Sequence, residues 1–253
     1  MAASIGIRAL QRLSFSSTAL SLFVGCSAFG SGQRSSSNSF CSMAKCNSNN
    51  YDDLPSMIVF DLDDCLWTPE MHELSGMPSI CVEGPLDPND TDSPLGTVGM
   101  KVPSRRRGGW GNSDEEIVEL YPGARLALRE LVTSPKYAQV KIAVASTSLE
   151  PSYSHACING IEIVDGVTMK EVISYSQIGR EGQLTSRKTG HFKLLQKESG
   201  IPYSEMLFFD DCNWGDHVGD LQETYGVLGV RTPNGLQLDE FHQGLEKYRK
   251  RRR

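Results

Sequence analysis

Five short apolar runs punctuate the chain: M-I-V-F at 57–60, V-K-I-A-V-A at 140–145, V-I-S-Y at 172–175, M-L-F-F at 206–209 and G-V-L-G-V at 226–230. Continuous apolar runs of this length, bounded by polar residues, predict strands buried on both faces of a parallel sheet. Helical periodicity fills the gaps. A-R-L-A-L-R-E-L-V at 124–132 places apolar residues at i, i+4 and i+7 behind Pro122, which suits a first helical turn. A helix-like stretch follows Glu162. Another helix runs from Lys188 to a stop at Gly200. A closing amphipathic helix covers 238–248, with a basic tail expected to fray into solvent. The fold expected is α/β: a Rossmann-like three-layer sandwich with a parallel sheet of about five strands.

Residues 68–113 break this pattern. They contain D-P-N-D-T-D-S-P at 87–94 and S-R-R-R-G-G-W-G at 104–111, with no sustained period. Only G-T-V-G-M-K-V-P at 96–103 reads as an arm of a hairpin. An irregular run this long predicts a small flap or insert and no large cap domain. Arg105, Arg106 and Arg107 beside Trp110 offer a place to meet an anionic substrate, or simply a solvated charge run.

Composition separates a leader from a body. Residues 1–50 hold 13 Ser, no acidic residue, and the basic residues Arg8, Arg12, Arg34 and Lys45. That composition builds no core and matches an organelle transit peptide. Within it, S-T-A-L-S-L-F-V-G at 17–25 and the C-S-A-F after it look like a secretory signal with its cleavage site. The tandem resembles the bipartite plastid leaders of algae with secondary plastids. The expected location is therefore the plastid, reached through organelle import machinery. A mitochondrial leader, or an address-free tail on a cytoplasmic protein, is the alternative. The expected working domain is 51–253. With 21 basic against 31 acidic residues it is too acidic for a general nucleic-acid binder. No run of 18 apolar residues marks a permanent membrane span. Seven Cys without CxxC spacing point to free thiols.

The chemistry lies where apolar runs meet acids. The first run ends in Asp61, Asp63 and Asp64, and the fourth in Asp210 and Asp211. Strands of an open α/β sheet present ligand sites at their carboxyl ends. If these two strands are neighbours, Asp61, Asp63, Asp210 and Asp211 share one crevice. Carboxylates so close repel, and a divalent cation offsets them; hard oxygen ligands select Mg²⁺. The second run ends in Ser146 and Thr147, hydroxyls placed before a helix, where a phosphate group is well held. Ser148 is the candidate N-cap of that helix. Lys188 sits on a first helical turn, where the dipole favours acids, so it is expected to have a carboxylate or phosphate partner.

In chain order, D-L-D-D-C, then A-S, then Lys188, then F-F-D-D resemble the four motifs of the haloacid dehalogenase superfamily. F-D-L-D-x-x-L-W at 60–67, E-L-Y-P-G at 119–123, K-x-x-H-F at 188–192 and G-I-P-Y-S-E-M-L-F-F-D-D-x-N at 200–213 look like its magnesium-dependent, acid-phosphatase-like branch. The resemblance implies that Asp61 is the nucleophile and that Asp63 is the general acid and base. It implies that Ser146, Thr147 and Lys188 bind phosphate. It also implies that Asp61, the Asp63 carbonyl, Asp210 and Asp211 hold Mg²⁺. Substrates would be phosphotyrosine peptides or small sugar phosphates. Cys65 departs from the usual Thr or Val, and Thr147 stands where animal members carry Arg. The rival readings are a phosphotransferase on the same scaffold and a non-catalytic metal- or phosphate-binding regulatory module.

Overall fold

The computed structural model describes residues 53–103 and 116–253. The leader and the Arg105–Arg107 and Trp110 cluster fall outside these residues. The first apolar run forms β1 (Met57–Phe60), wholly buried. Two-residue β2 (Trp67–Thr68), β3 (Ile80–Pro85), β4 (Leu95–Lys101) and β5 (Ile117–Leu120) follow. Then come α1 (Pro122–Thr133), β6 (Lys141–Ser146), α2 (Pro151–Gly160), β7 (Glu162–Val164), β8 (Val167–Thr168) and α3 (Met169–Val172). The chain continues through β9 (Ile173–Ile178), α4 (Lys188–Ser199), β10 (Met206–Asp210), α5 (His217–Tyr225), β11 (Leu228–Arg231) and α6 (Leu238–Arg252).

The main sheet has five strands in the order β11-β10-β1-β6-β9, paired in parallel throughout. β1 lies at the centre, with Phe60 opposite Phe209 on one side and Val144 on the other. Alternation along β1 divides the core into two layers, as strand geometry requires. Ile58 and Phe60 pack with Ala124, Leu128, Phe241 and Leu245 from α1 and α6. Met57 and Val59 pack with Phe192, Leu195, Val218 and Leu221 from α4 and α5. The three-layer sandwich expected from the run pattern is the observed architecture. No helix among the described residues is long and apolar enough to cross a membrane.

The flap expectation needs correction. Much of the stretch after β1 is folded into an antiparallel sheet, β2-β5-β4-β3, rather than irregular. The 96–103 arm was legible and lies in β4. Its partner β3 was not, because none of its six residues is buried, and Ile80 and Cys81 at its start are both exposed. A strand with neither face buried leaves no period-2 contrast to read. Two further differences are local. The segment after Glu162 begins as a β7–β8 hairpin and carries only a single helical turn, α3. α6 stays helical to Arg252, its tail held by Arg249 and Lys250 on Glu246 and by Arg251 on the Gly226 carbonyl.

One buried cation fastens this small sheet to the core. Arg125 of α1 donates from Nη1 to the Glu162 carbonyl at 2.9 Å and from Nη2 to the Val98 carbonyl at 2.7 Å. The Glu162 carboxylate in turn accepts the Thr97 N–H at 2.6 Å. It reaches there because Gly96 has no side chain in its way; a Cβ would meet Glu162 Oε2. Burial lowers the Arg125 pKa to about 10, so the side chain stays charged at neutral pH. Arg125→Met therefore strands two carbonyls and is expected to cost about 2–4 kcal/mol. Hydrogen exchange should rise in β3–β5 before it rises in β1 and β10. Equal protection of both sheets in the variant would refute this role.

Candidate active site

The two acid-bearing strands, β1 and β10, are neighbours, so their carboxyl ends bring the predicted residues together. Asp61 continues the ladder, donating its N–H to the Phe209 carbonyl at 2.9 Å. Just beyond, the chain turns sharply: Asp64 (φ 56°) and Cys212 (φ 60°) adopt left-handed backbone. Non-glycine residues rarely do so, and such strain gathers at functional turns. Asn213 Nδ2 donates to Asp64 Oδ2 at 3.2 Å, tying the two turns together.

Lys188 stands at the centre, its side chain fully buried. Its ammonium lies 2.6 Å from Asp61 Oδ1, 3.2 Å from Asp210 Oδ2 and 2.6 Å from the Ala145 carbonyl. Of the carboxylate or phosphate partner expected from its position on the first turn of α4, the structure shows carboxylates. Burial alone would lower the Lys188 pKa, but Asp61 and Asp210 more than reverse that, and it ends raised. Burial pushes the Asp61 carboxyl well up; Lys188 opposes the shift, while Asp210 and Asp211 add to it.

Asp61, Asp210 and Asp211 each offer a carboxylate oxygen, all within 4.8 Å of one another. Asp61 Oδ1 and Asp210 Oδ2 are buried and receive no hydrogen bond of good geometry; Lys188 meets them only as an ion pair. Two such oxygens beside a third carboxylate form a donor set suited to a small hard cation. The Asp63 carboxylate is not in this cluster. Its Oδ1 accepts Trp67 Nε1–H at 2.7 Å, and burial raises its pKa despite bonds from Trp67 and Ser148. Burial that raises a carboxyl's pKa makes it a better proton donor than an exposed one.

Ser146 ends β6 and is buried. Thr147 lies beside it on the wall of the cleft. Ser148 does not cap α2: that position is Glu150, without a side-chain bond. The chain needs two more residues to turn, and Ser148 Oγ accepts from the Glu150 N–H and the Ser154 hydroxyl. Cys65 is fully buried between the Phe209 carbonyl and Thr232, its thiol pushed well up by burial. It packs where the family's Thr or Val would. Cys81, Cys157 and Cys212 are likewise free thiols.

Three residues near the site were given no role from sequence, although His191 lies within the K-x-x-H-F stretch. His191 follows Lys188 by three positions, on the same face of α4. Its Nε2 lies 3.0 Å from both the Ser146 and the Gly179 carbonyl. Burial lowers its pKa from 6.5 to about 4. The folded state thus prefers the neutral ring, and its contribution is complete above pH 6.5 and lost as pH falls toward 4. The full loss amounts to about 3 kcal/mol. His191→Phe should flatten the melting temperature against pH across that window, and an unchanged slope would refute the assignment. The other two, Arg180 and Trp214, stand at the mouth of the cleft.

A parallel sheet with a carboxylate nucleophile candidate, a buried lysine and a metal-suited acid cluster at its carboxyl edge defines a phosphatase of the haloacid dehalogenase superfamily. The Acid Phosphatase family profile matches residues 53–251, and the chain belongs to that family. It is similar to human magnesium-dependent phosphatase 1, with 29% identity over 197 residues, 78% of this chain and 89% of the relative. It is also similar to a HAD-like hydrolase superfamily protein of Schizosaccharomyces pombe, with 28% identity over 178 residues, 68% of this chain and 85% of the relative. A solved structure of the N-terminal phosphatase-domain part of a Bacteroides fragilis protein, complexed with Mg, aligns with a TM-score of 0.45. It has 16% identity and covers 76% of this chain and 40% of that one.

Proposed function

We propose that this phosphatase hydrolyses phosphomonoesters with Mg²⁺ through an aspartyl phosphate on Asp61. The observation that carries the reading is the buried Asp61–Lys188–Asp210 cluster at the open ends of β1 and β10. An anionic nucleophile must approach an anionic phosphate there, and fixed cations are what make that approach feasible. Asp61, Asp210 and Asp211 would hold Mg²⁺, joined by the Asp63 carbonyl. When bound, the ion screens the carboxylates and polarises a phosphoryl oxygen.

The chain's own residues do the rest. Asp61 attacks phosphorus through a carboxylate oxygen as the bond to the ester oxygen breaks. Asp63, whose pKa burial raises, protonates the leaving alcohol. Now a carboxylate, it takes a proton from water. That water attacks phosphorus, breaks the acyl–phosphate bond and restores Asp61. Ser146, Thr147 and the Lys188 ammonium hold the phosphoryl oxygens during both displacements. Phosphotyrosine peptides and small sugar phosphates are the substrate classes we favour, because the cleft beside Asp61 and Ser146 opens to solvent past Arg180 and Trp214.

The test is hydrolysis of p-nitrophenyl phosphate with Mg²⁺ and after EDTA. Turnover is expected with the ion and at least a hundredfold less without it. Full activity after thorough chelation would overturn the metal assignment.

A further inference from the structure

The mouth of the cleft holds a cation and an aromatic plane that the hydrolytic steps do not use. Four carboxylates line the cleft: Asp61, Asp63, Glu70 and Asp211. Among the described residues, Arg180 is the one Arg or Lys on the cleft surface, Lys188 being wholly buried against Asp61. Arg180 is exposed, yet its position is defined. Its Nε donates to the Thr147 carbonyl at 2.7 Å. The preceding Gly179 has φ +106°, a turn suited to glycine. Gly179 is pinned by its N–H on the Ser146 carbonyl at 2.9 Å and by His191 on its own carbonyl. Arg180 makes no ion pair with any described residue. The two Nη groups therefore remain as a fork suited to a carboxylate or phosphate.

Trp214, 72% exposed, lines the same cleft. An indole this exposed is usually loose, but this one is held at both ends. Its Nε1 donates to Glu70 Oε1 at 2.7 Å. The His72 ring meets it edge-on, with centroids 6.2 Å apart at 75°, and His72 is itself 3.0 Å from Glu70. Holding the ring this way presents an indole face without spending substrate affinity on ordering it.

Resting on the hydrolase reading above, we infer that Arg180 and Trp214 form a specificity clamp for phosphomonoesters that carry a second anionic group on a flat ring. The scissile phosphate goes to Ser146 and Lys188, the ring lies against Trp214, and the second anion meets the Arg180 fork.

The experiment compares kcat/KM of the full chain on 3-carboxyphenyl phosphate, phenyl phosphate and ethyl phosphate with Mg²⁺. Each variant is divided by wild type, so leaving-group reactivity cancels. Arg180→Gln is expected to lower the carboxyphenyl-to-phenyl ratio by roughly ten- to a hundredfold, mainly through KM. Trp214→Ala should lower both aryl esters relative to ethyl phosphate by roughly tenfold. Lys247→Gln makes the same charge change on exposed α6 and should keep both ratios. The clamp is wrong if Arg180→Gln lowers all three esters equally, since Arg180 would then serve the scissile phosphate. Calorimetry on Asp61→Asn separates this from the hydrolytic reading. Tighter binding of carboxyphenyl than of phenyl phosphate, abolished by adding Arg180→Gln, supports the clamp even if no ester is turned over. Turnover without that selectivity keeps the hydrolase and removes the clamp.

Discussion

Asp61→Asn is expected to lower kcat on p-nitrophenyl phosphate by at least about a thousandfold while leaving the fold intact. The amide matches the carboxylate in size but cannot take up the phosphoryl group, so the first displacement has no acceptor. Stability should hardly suffer. The Asp61 charge is already costly, since burial pushes its pKa well up and Asp210 and Asp211 repel it. Lys188 loses one partner at 2.6 Å but keeps Asp210 at 3.2 Å and the Ala145 carbonyl at 2.6 Å. Acid quenching during turnover should trap phosphate on the wild-type chain, in a form released by hydroxylamine, and none on the variant. A variant that turns over at near wild-type rate would sink the covalent route, because no other described carboxylate lies both at the end of β1 and against Lys188.

The sheet was legible because its strands are buried on both faces. Met57–Phe60 and Met206–Asp210 must be apolar wherever a helix layer covers each side, and the acids begin where that cover stops. The adjacency of β1 and β10 made one prediction out of two separate acid pairs, and Lys188 and Ser146 followed from where strands and helices end. The antiparallel flap was hidden for the opposite reason: β3 is an edge strand with no residue fully buried, so no alternation marks it. The basic tail of α6 looked frayed because composition does not show that Glu246 and Gly226 are within reach of it. His191 had a signal, its i+3 spacing from Lys188 on one helix face. Arg180 and Trp214 had none. Each is a single loop residue, and only the folded turns at Gly179 and Cys212 bring it to the cleft.

Lys188→Met is expected to lower stability by about 3–5 kcal/mol and to abolish turnover. The Lys188 side chain is fully shielded from solvent and is the only cation within ion-pair distance of both Asp61 and Asp210 among the described residues. Methionine fills much the same volume, so the loss is electrostatic and not a packing defect. Two buried oxygens that already lack well-formed hydrogen bonds then lose their compensating charge. The sign of this account can be tested by removing the charge it strands. Asp61→Asn combined with Lys188→Met should be more stable than Lys188→Met alone, with a coupling of about 1–3 kcal/mol in urea unfolding. Mg²⁺ should raise the melting temperature of Lys188→Met more than that of wild type, because the ion would replace the charge that Lys188 gives to Asp61 and Asp210. If Lys188→Met unfolds at the wild-type urea midpoint, or the double variant is no better than the single, the lysine is not what holds these acids together, and the electrostatic basis of the site has to be sought elsewhere.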